Sequence, residues 1–193
     1  MNKYYVFYKP FGYLSQFTDE GNNPGLAKLI QLEKDVYPVG RLDKDSEGLL
    51  LITNDKLLNN KLLNPNNKHN RTYYAQVEGN IDKQSITQLE KGVNIKVGKK
   101  RYDTLPAQVR SIDEPQLPER NPPIRFRKSV PTSWIELKLI EGKNRQVRKM
   151  CAAVGYPCLR LVRVGIEEMR LEDLDVGELK SVESKQIIRL LKL

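Results

Sequence analysis

The chain has 193 residues, of which 39% are apolar and 30% are charged, and its formal net charge is +9. A chain of this length and composition can bury the core of a globular domain without disulfides. No apolar run approaches the roughly 18 residues of a membrane-spanning helix, and the N-terminus lacks the apolar stretch of a signal peptide. One histidine and two cysteines are too few ligands for a usual zinc site. We therefore expect a cytoplasmic protein with no bound metal and no membrane association.

The predicted elements mix strands and helices. In chain order we expect a strand over 4–8, a short helix over 26–30, a short extended segment over 36–39 and a strand over 49–53. A helix over 55–63 capped by Asn54 and a strand over 72–78 follow. We then expect a helix over 85–91, strands and turns over 93–112, and a proline-rich connection over 114–131. A strand over 134–139, a helix over 145–154 and a strand over 159–164 follow, and 187–191 fit a strand or a helix. This order, without regular βαβ alternation, favours an α+β fold.

The positive charge is concentrated in one part of the sequence. Residues 120–163 contain 11 Lys or Arg and two acidic residues, a net charge of +9, whereas residues 1–119 carry +2 and residues 164–193 carry −2. A local basic excess is typical of proteins that bind a polyanion, because neutralised phosphates release counterions. A solvated basic face with no ligand would give the same count.

A polar loop followed by an apolar strand is the most distinctive motif. In GRLDKDSEGLLLITND, residues 40–55, the loop carries Asp43, Asp45 and Glu47 just before the apolar run that begins at Leu49. Loops positioned by a buried strand often carry catalytic side chains. Alternatively, Asp43, Asp45 and Ser46 form only an Asx turn that leads into the strand.

This motif resembles the signature loop of the pseudouridine synthases, in the branch that acts on ribosomal RNA. Three further segments agree with that family in order and spacing: YKPFGYLSQFTDE from residue 8, RTYYAQVEG from Arg71, and EGKNRQVRKMCAAVGYPCLRLVRVGI from Glu141. The resemblance covers nearly the whole chain and is greatest to members that act on large-subunit RNA. It implies an α+β catalytic fold with a mixed, mostly antiparallel sheet, flanking helices and a central active-site cleft.

The resemblance also implies the roles of three residues. Asp43 matches the catalytic aspartate, Tyr73 the active-site tyrosine, and Arg148 the basic residue that pairs with the aspartate. The reaction rejoins the same atoms of uridine, so it needs neither a redox cofactor nor a nucleotide, and the sequence contains neither a GxGxxG motif nor a P-loop. Whether Asp43 attacks the sugar or the base, or acts through a glycal route, stays open.

The expected partner is large-subunit ribosomal RNA, free or in an assembling particle. We expect Leu159 or Leu161 to line the base pocket, and these residues to contact the RNA: Arg41, Arg71, Arg125, Arg127, Lys128, Lys143, Arg145 and Lys149. Arg71 replaces the lysine that the family usually has, and both are cations.

We expect residues 1–193 to form one catalytic domain, with room for two lobes about a cleft, no N-terminal S4-like domain, and a monomeric state. Two alternatives have different chemistry. One is a non-catalytic RNA-binding ribosome-assembly protein, which would have no reason to place a carboxylate in an RNA-binding cleft. The other is a glycosidic-bond hydrolase acting on RNA, which would use a second carboxylate such as Asp45 or Glu47.

Overall fold

A computed structural model describes residues 2–124, 130–172 and 174–193. The chain divides into two compact units. The first unit comprises Met1–His69 and Arg163–Leu193, and the second comprises Asn70–Val162. The expectation of one domain that spans the whole chain stays a prediction.

The first unit is built on antiparallel strands. Its strands are β1 (Tyr4–Lys9), β2 (Tyr37–Pro38), β3 (Glu47–Thr53), β10 (Met169–Arg170) and β11 (Leu179–Ser181), and its helices are α1 (Lys56–Leu63) and α4 (Ser184–Leu191). Strand β1 pairs with both β3 and β11, and its register aligns Lys9 with Gly48. Strand β3 is buried along its whole length, as its run of aliphatic residues predicts.

The second unit contains an antiparallel sheet and a separate hairpin. Its elements are β4 (Arg71–Glu78), α2 (Lys83–Lys91), β5 (Asn94–Val97), β6 (Lys100–Asp103), β7 (Gln108–Ile112), β8 (Thr132–Leu139) and α3 (Gln146–Ala153). Strand β8 pairs with β4 on one side and β7 on the other, and β5 pairs with β6. Strand β9 (Cys158–Ile166) begins in this unit and ends in the first.

The core of each unit comes from the apolar faces of these elements. In the first unit Phe7 of β1 and Leu50 and Ile52 of β3 pack with Leu26 and Val36 from the connection between those strands. In the second unit the fully buried side chains include Leu89 of α2 and Ile135 and Leu137 of β8. Burial of these side chains stabilises each unit and fixes the strand ends that carry the candidate functional residues.

The α+β fold class is confirmed, and the differences from the prediction are local. The helix predicted over 26–30 is a single 3-10 turn, Leu26–Lys28. Helix α1 is capped by Asp55, not by Asn54: the Asp55 carboxylate accepts hydrogen bonds from the Leu57 and Leu58 amides. The Asn54 side chain instead accepts a hydrogen bond from the Lys3 amide. The C-terminal segment is a helix, α4.

Within the residues that the structure describes, no helix is both long and apolar enough to cross a membrane. The same residues contain no group of three or more His, Cys, Asp or Glu side chains placed to hold a metal ion.

Candidate active-site residues and basic surface

The loop that carries Asp43 is held by hydrogen bonds on both sides of this residue. The buried Ser15 hydroxyl donates to the Leu42 carbonyl at 2.8 Å and accepts from the Leu42 amide at 2.9 Å. The Gly12 amide donates to the Lys44 carbonyl at 2.8 Å. Both contacts come from the segment after β1, so this segment fixes the backbone from which the half-buried Asp43 side chain extends.

The turn after Asp43 is closed by the main chain. The Ser46 amide donates to the Asp43 carbonyl oxygen at 3.0 Å, whereas an Asx turn would use the carboxylate as the acceptor. The turn from Asp43 to Ser46 is therefore closed by main-chain atoms, and the Asx-turn alternative, which also involves Asp45, stays a prediction. The fold does not use the Asp43 carboxylate to close this turn.

Lys9 interacts electrostatically with the carboxylates of this loop. Its side chain is fully buried at the end of β1, and its ammonium donates to the Pro10 carbonyl at 2.9 Å. Burial lowers the pKa of Lys9 to about 7, an effect opposed by the carboxylates of Glu47, Asp45 and Asp43 and supported by Arg163. Lys9 is not among the residues that the sequence predicted for the site. The only signal was its place in the YKPFG segment, where a strand ends in a turn.

The strand that follows the loop is locked to β9 at Arg163. Arg163 is 3% exposed, and its Nε donates to the Leu49 carbonyl at 2.8 Å. Gly48 has a φ of +108°, and a Cβ placed on it would lie 2.3 Å from the Arg163 carbonyl oxygen. Only glycine fits this contact, which anchors the start of β3 three residues beyond Asp45.

Tyr73 and Arg71 lie on β4 of the second unit. Tyr73 is 9% exposed and lies opposite Leu137 of β8, whereas Tyr74 is half-buried and lies opposite Glu136. Neighbouring residues of a strand point to opposite faces, so these two tyrosines differ in environment. Arg71 is half-buried at the start of the strand.

Arg148 is anchored within the second unit. It is half-buried on α3, and its Nη1 donates to the Cys158 carbonyl at 3.0 Å. Cys158 begins β9, on which Leu159 is half-buried and Leu161 is 5% exposed. The contact therefore joins α3 to the strand that carries both predicted base-pocket residues. Asp43 belongs to the first unit and Arg148 to the second, and their pairing stays a prediction.

Glu141 organises the loop that precedes α3. Its carboxylate is buried and accepts hydrogen bonds from the Tyr102 hydroxyl at 2.5 Å, the Leu105 amide at 2.8 Å and the Gln146 side-chain amide at 2.6 Å. The hydrogen bond to Glu141 raises the pKa of Tyr102 to about 12. Gln146 Oε1 in turn accepts from the Lys143 amide at 2.8 Å. This network could not be predicted from the sequence, because no short motif links Tyr102 to Glu141.

The predicted RNA-binding residues differ in exposure. Arg41, Lys143 and Arg145 are exposed, and Lys149 is half-buried with its ammonium bonded to Asn144. The predicted residues that lie outside the described part of the chain are Arg125, Arg127 and Lys128.

Two arginines of the basic segment are structural. Arg160 is 6% exposed and its Nη2 donates to the Pro118 carbonyl, and Arg163 is buried as described above. These two cations contribute to the net charge of residues 120–163 but are not presented at the surface. The exposed basic surface is therefore smaller in this segment than the sequence indicated.

Comparison with known proteins identifies close relatives. Residues 3–153 match the family described as RNA pseudouridylate synthase. The chain is 49% identical over 180 residues to ribosomal large subunit pseudouridine synthase E of Vibrio vulnificus, a match covering 93% of this chain and 75% of that protein. It is 50% identical over 169 residues to the protein of the same name from Xanthomonas axonopodis pv. citri, covering 86% of each.

One solved structure has the same fold. A protein titled pseudouridylate synthase superposes with a TM-score of 0.80 at 22% identity, covering 98% of this chain and 74% of that chain. The α+β architecture of this chain is therefore shared with that solved structure.

Proposed function

Because the chain belongs to the RNA pseudouridylate synthase family, we propose that it converts a specific uridine of large-subunit (23S) ribosomal RNA into pseudouridine. We choose large-subunit RNA because relatives that are 47–50% identical over most of the chain are named as large subunit pseudouridine synthases. The observation that carries the proposal is the fixed Asp43 loop, which presents a half-buried carboxylate that the turn itself does not use.

The proposed reaction breaks the bond between uracil and ribose, turns the base and rejoins it through carbon. Asp43 acts as the nucleophile or through a glycal route. Its carboxylate must stay ionised while bound RNA excludes water, and a nearby cation favours the ionised form. We assign that role to Arg148. Tyr73 stacks on the base or exchanges a proton through its hydroxyl.

Access to the uridine requires its extrusion from folded RNA. Unstacking costs about a few kcal/mol and is offset by stacking and backbone contacts in the complex. Arg41 is exposed and lies two residues before Asp43. We assign it to this step, in which it either occupies the space that the uridine leaves or contacts the adjacent phosphate. Leu159 and Leu161 are assigned to the apolar surface that contacts the base.

The protein acts as a monomer in the cytoplasm in this proposal, on free ribosomal RNA or on an assembling particle. Light scattering of the purified protein would measure the mass of the particle in solution. Pseudouridine mapping of large-subunit RNA from cells without this protein would identify the uridine.

Product analysis tests the proposal against its alternatives. Purified protein is incubated with a large-subunit RNA transcript, the RNA is digested, and pseudouridine and free uracil are quantified by chromatography with mass spectrometry. The proposal predicts pseudouridine with no change of RNA mass and no uracil. Released uracil would instead support a hydrolase that pairs Asp43 with Asp45 or Glu47, and tight binding with neither product would support a non-catalytic assembly protein.

A further inference from the structure

The hairpin formed by β5 and β6, residues 94–103, is strongly basic and exposed; we call it the basic hairpin. Its exposed cations are Lys96, Lys99, Lys100 and Arg101. They lie in the part of the sequence where the net charge is near zero, so the charge count did not single them out.

The arrangement of these cations opposes folding. The register places Lys96 directly opposite Arg101, and both side chains are exposed. Like charges directly opposite each other on a sheet are destabilising. Asp103 could relieve the repulsion, but it lies opposite Asn94 and accepts a hydrogen bond from that side chain at 2.6 Å. Among the residues that the structure describes, the hydrogen bond that Arg101 makes is a long one, 3.4 Å from its Nη1 to Asn94 Oδ1. An anionic ligand would neutralise the Lys96–Arg101 pair.

The basic hairpin is fixed to the loop that carries Lys143 and Arg145. Ile95 is buried, β5 packs against α3, and the Tyr102 hydroxyl donates to Glu141. The Lys143 ammonium lies 4.6 Å from the centre of the Tyr102 ring. The exposed cations of the hairpin and those of the loop are therefore held within one packed part of the second unit.

We propose that the basic hairpin binds the phosphate backbone of the RNA substrate, with Lys96 and Arg101 as its principal contacts. The inference rests on the proposed function for the identity of the RNA. Phosphate suits these residues because Arg offers a planar fork to phosphate oxygens and Lys a compact charge. Phosphate contacts carry no base readout, so the hairpin holds and orients the RNA and does not select the uridine.

The test is RNA binding across a salt series. The double variant Lys96→Gln/Arg101→Gln is compared with wild type on a large-subunit RNA transcript, by filter binding from 50 to 300 mM KCl. Two lost phosphate contacts should weaken binding about tenfold near 0.1 M salt and reduce the magnitude of the salt slope by about two. The melting temperature should stay constant or rise, because a like-charge pair has been removed.

A matched control is Lys185→Gln/Arg189→Gln. Both residues are exposed on α4 of the first unit. Their substitution removes the same charge from the protein as the hairpin variant does. The control should bind RNA with the wild-type affinity and salt slope. A hairpin variant with the wild-type slope, or a control variant with an equal loss, would overturn the inference.

Measuring pseudouridine formation by the wild-type protein tests the proposed function independently of the hairpin contact. Pseudouridine formation together with an unchanged hairpin slope would refute the hairpin contact alone. A flattened slope with no pseudouridine from wild-type protein, either on the transcript or on large-subunit particles from cells without this protein, would refute the proposed function and leave the hairpin as an RNA-binding element.

Discussion

The Tyr102 hydroxyl donates a hydrogen bond to Glu141 across 39 residues of sequence, with an oxygen–oxygen distance of 2.5 Å. The same carboxylate accepts hydrogen bonds from Leu105 and from Gln146. One buried side chain therefore joins the end of the basic hairpin, the segment after it and the start of α3. The predicted RNA contacts Lys143 and Arg145 lie between Glu141 and Gln146 in the sequence, so this network sets the backbone that carries them.

Replacing Glu141 should destabilise the protein. In Glu141→Gln the amide oxygen can keep the bonds from Leu105 and Gln146, but the amide nitrogen faces the Tyr102 hydroxyl, which must turn from donor to acceptor. Three hydrogen bonds to a charged acceptor are lost or weakened, which should lower the free energy of unfolding by about 2–3 kcal/mol. The control is Glu136→Gln, which alters the ion pair with the exposed Arg110 and should cost less than about 1 kcal/mol. Urea unfolding measures both. Equal losses in the two variants would contradict the central role of Glu141.

Gly48 should not tolerate a side chain. In Gly48→Ala the new Cβ would lie 2.3 Å from the Arg163 carbonyl oxygen in a backbone with φ of +108°, so the strands must separate. We expect the variant to lose at least about 3 kcal/mol of stability. The control Gly142→Ala meets no atom within 4 Å and should change stability by less than about 0.5 kcal/mol. A Gly48→Ala protein as stable as Gly142→Ala would show that β3 and Arg163 are not in this contact.

The burial of Lys9 predicts a pH dependence of stability. The pKa of Lys9 is lowered from 10.5 to about 7 in the folded protein, so between these values the unfolded chain binds more protons. The stability of wild type relative to Lys9→Met should therefore rise with pH, at up to about 1.4 kcal/mol per pH unit between pH 7.5 and 9.5. Urea unfolding of both proteins at pH 7.5, 8.5 and 9.5 measures this. A difference that stays constant with pH would contradict the lowered pKa.

Substitutions of two arginines that are close in sequence should affect different quantities, one the turnover rate and the other RNA binding. Arg148, bonded to the Cys158 carbonyl, is proposed to steady Asp43, whereas Arg145 is exposed just before α3. Arg148→Gln should lower the single-turnover rate at saturating enzyme by about 10²-fold or more. Arg145→Gln should mainly weaken RNA binding and reduce the magnitude of the salt slope by about one. If Arg148→Gln changed only the salt slope, Arg148 would be a phosphate contact and Arg41 the next candidate.

The sequence predicted the elements whose pattern is local. The aliphatic run of β3 and the helical spacing of α3 led to the right structure, and the Asp43 loop lies where the motif indicated. The helix cap was placed one residue early, because Asn54 and Asp55 are both good caps and only the backbone geometry distinguishes them.

The features that the sequence did not predict depend on long-range contacts. Arg160 and Arg163 counted as surface charge, yet each donates to a carbonyl that is distant in sequence. Lys9 is buried although lysine is seldom buried. The basic hairpin was hidden because acidic residues elsewhere in residues 1–119 cancel its charge in a count that ignores position.

The most direct test of the account is the activity of Asp43→Asn beside Asp45→Asn. Each variant exchanges one carboxylate of the same loop for an amide of similar shape, and pseudouridine formed on a large-subunit RNA transcript is measured under single-turnover conditions. We predict that Asp43→Asn binds the RNA like wild type but loses more than about 10³-fold in rate, whereas Asp45→Asn stays within about tenfold of wild type. An Asp43→Asn protein that keeps a tenth of the wild-type rate would contradict the assignment of Asp43 as the catalytic carboxylate.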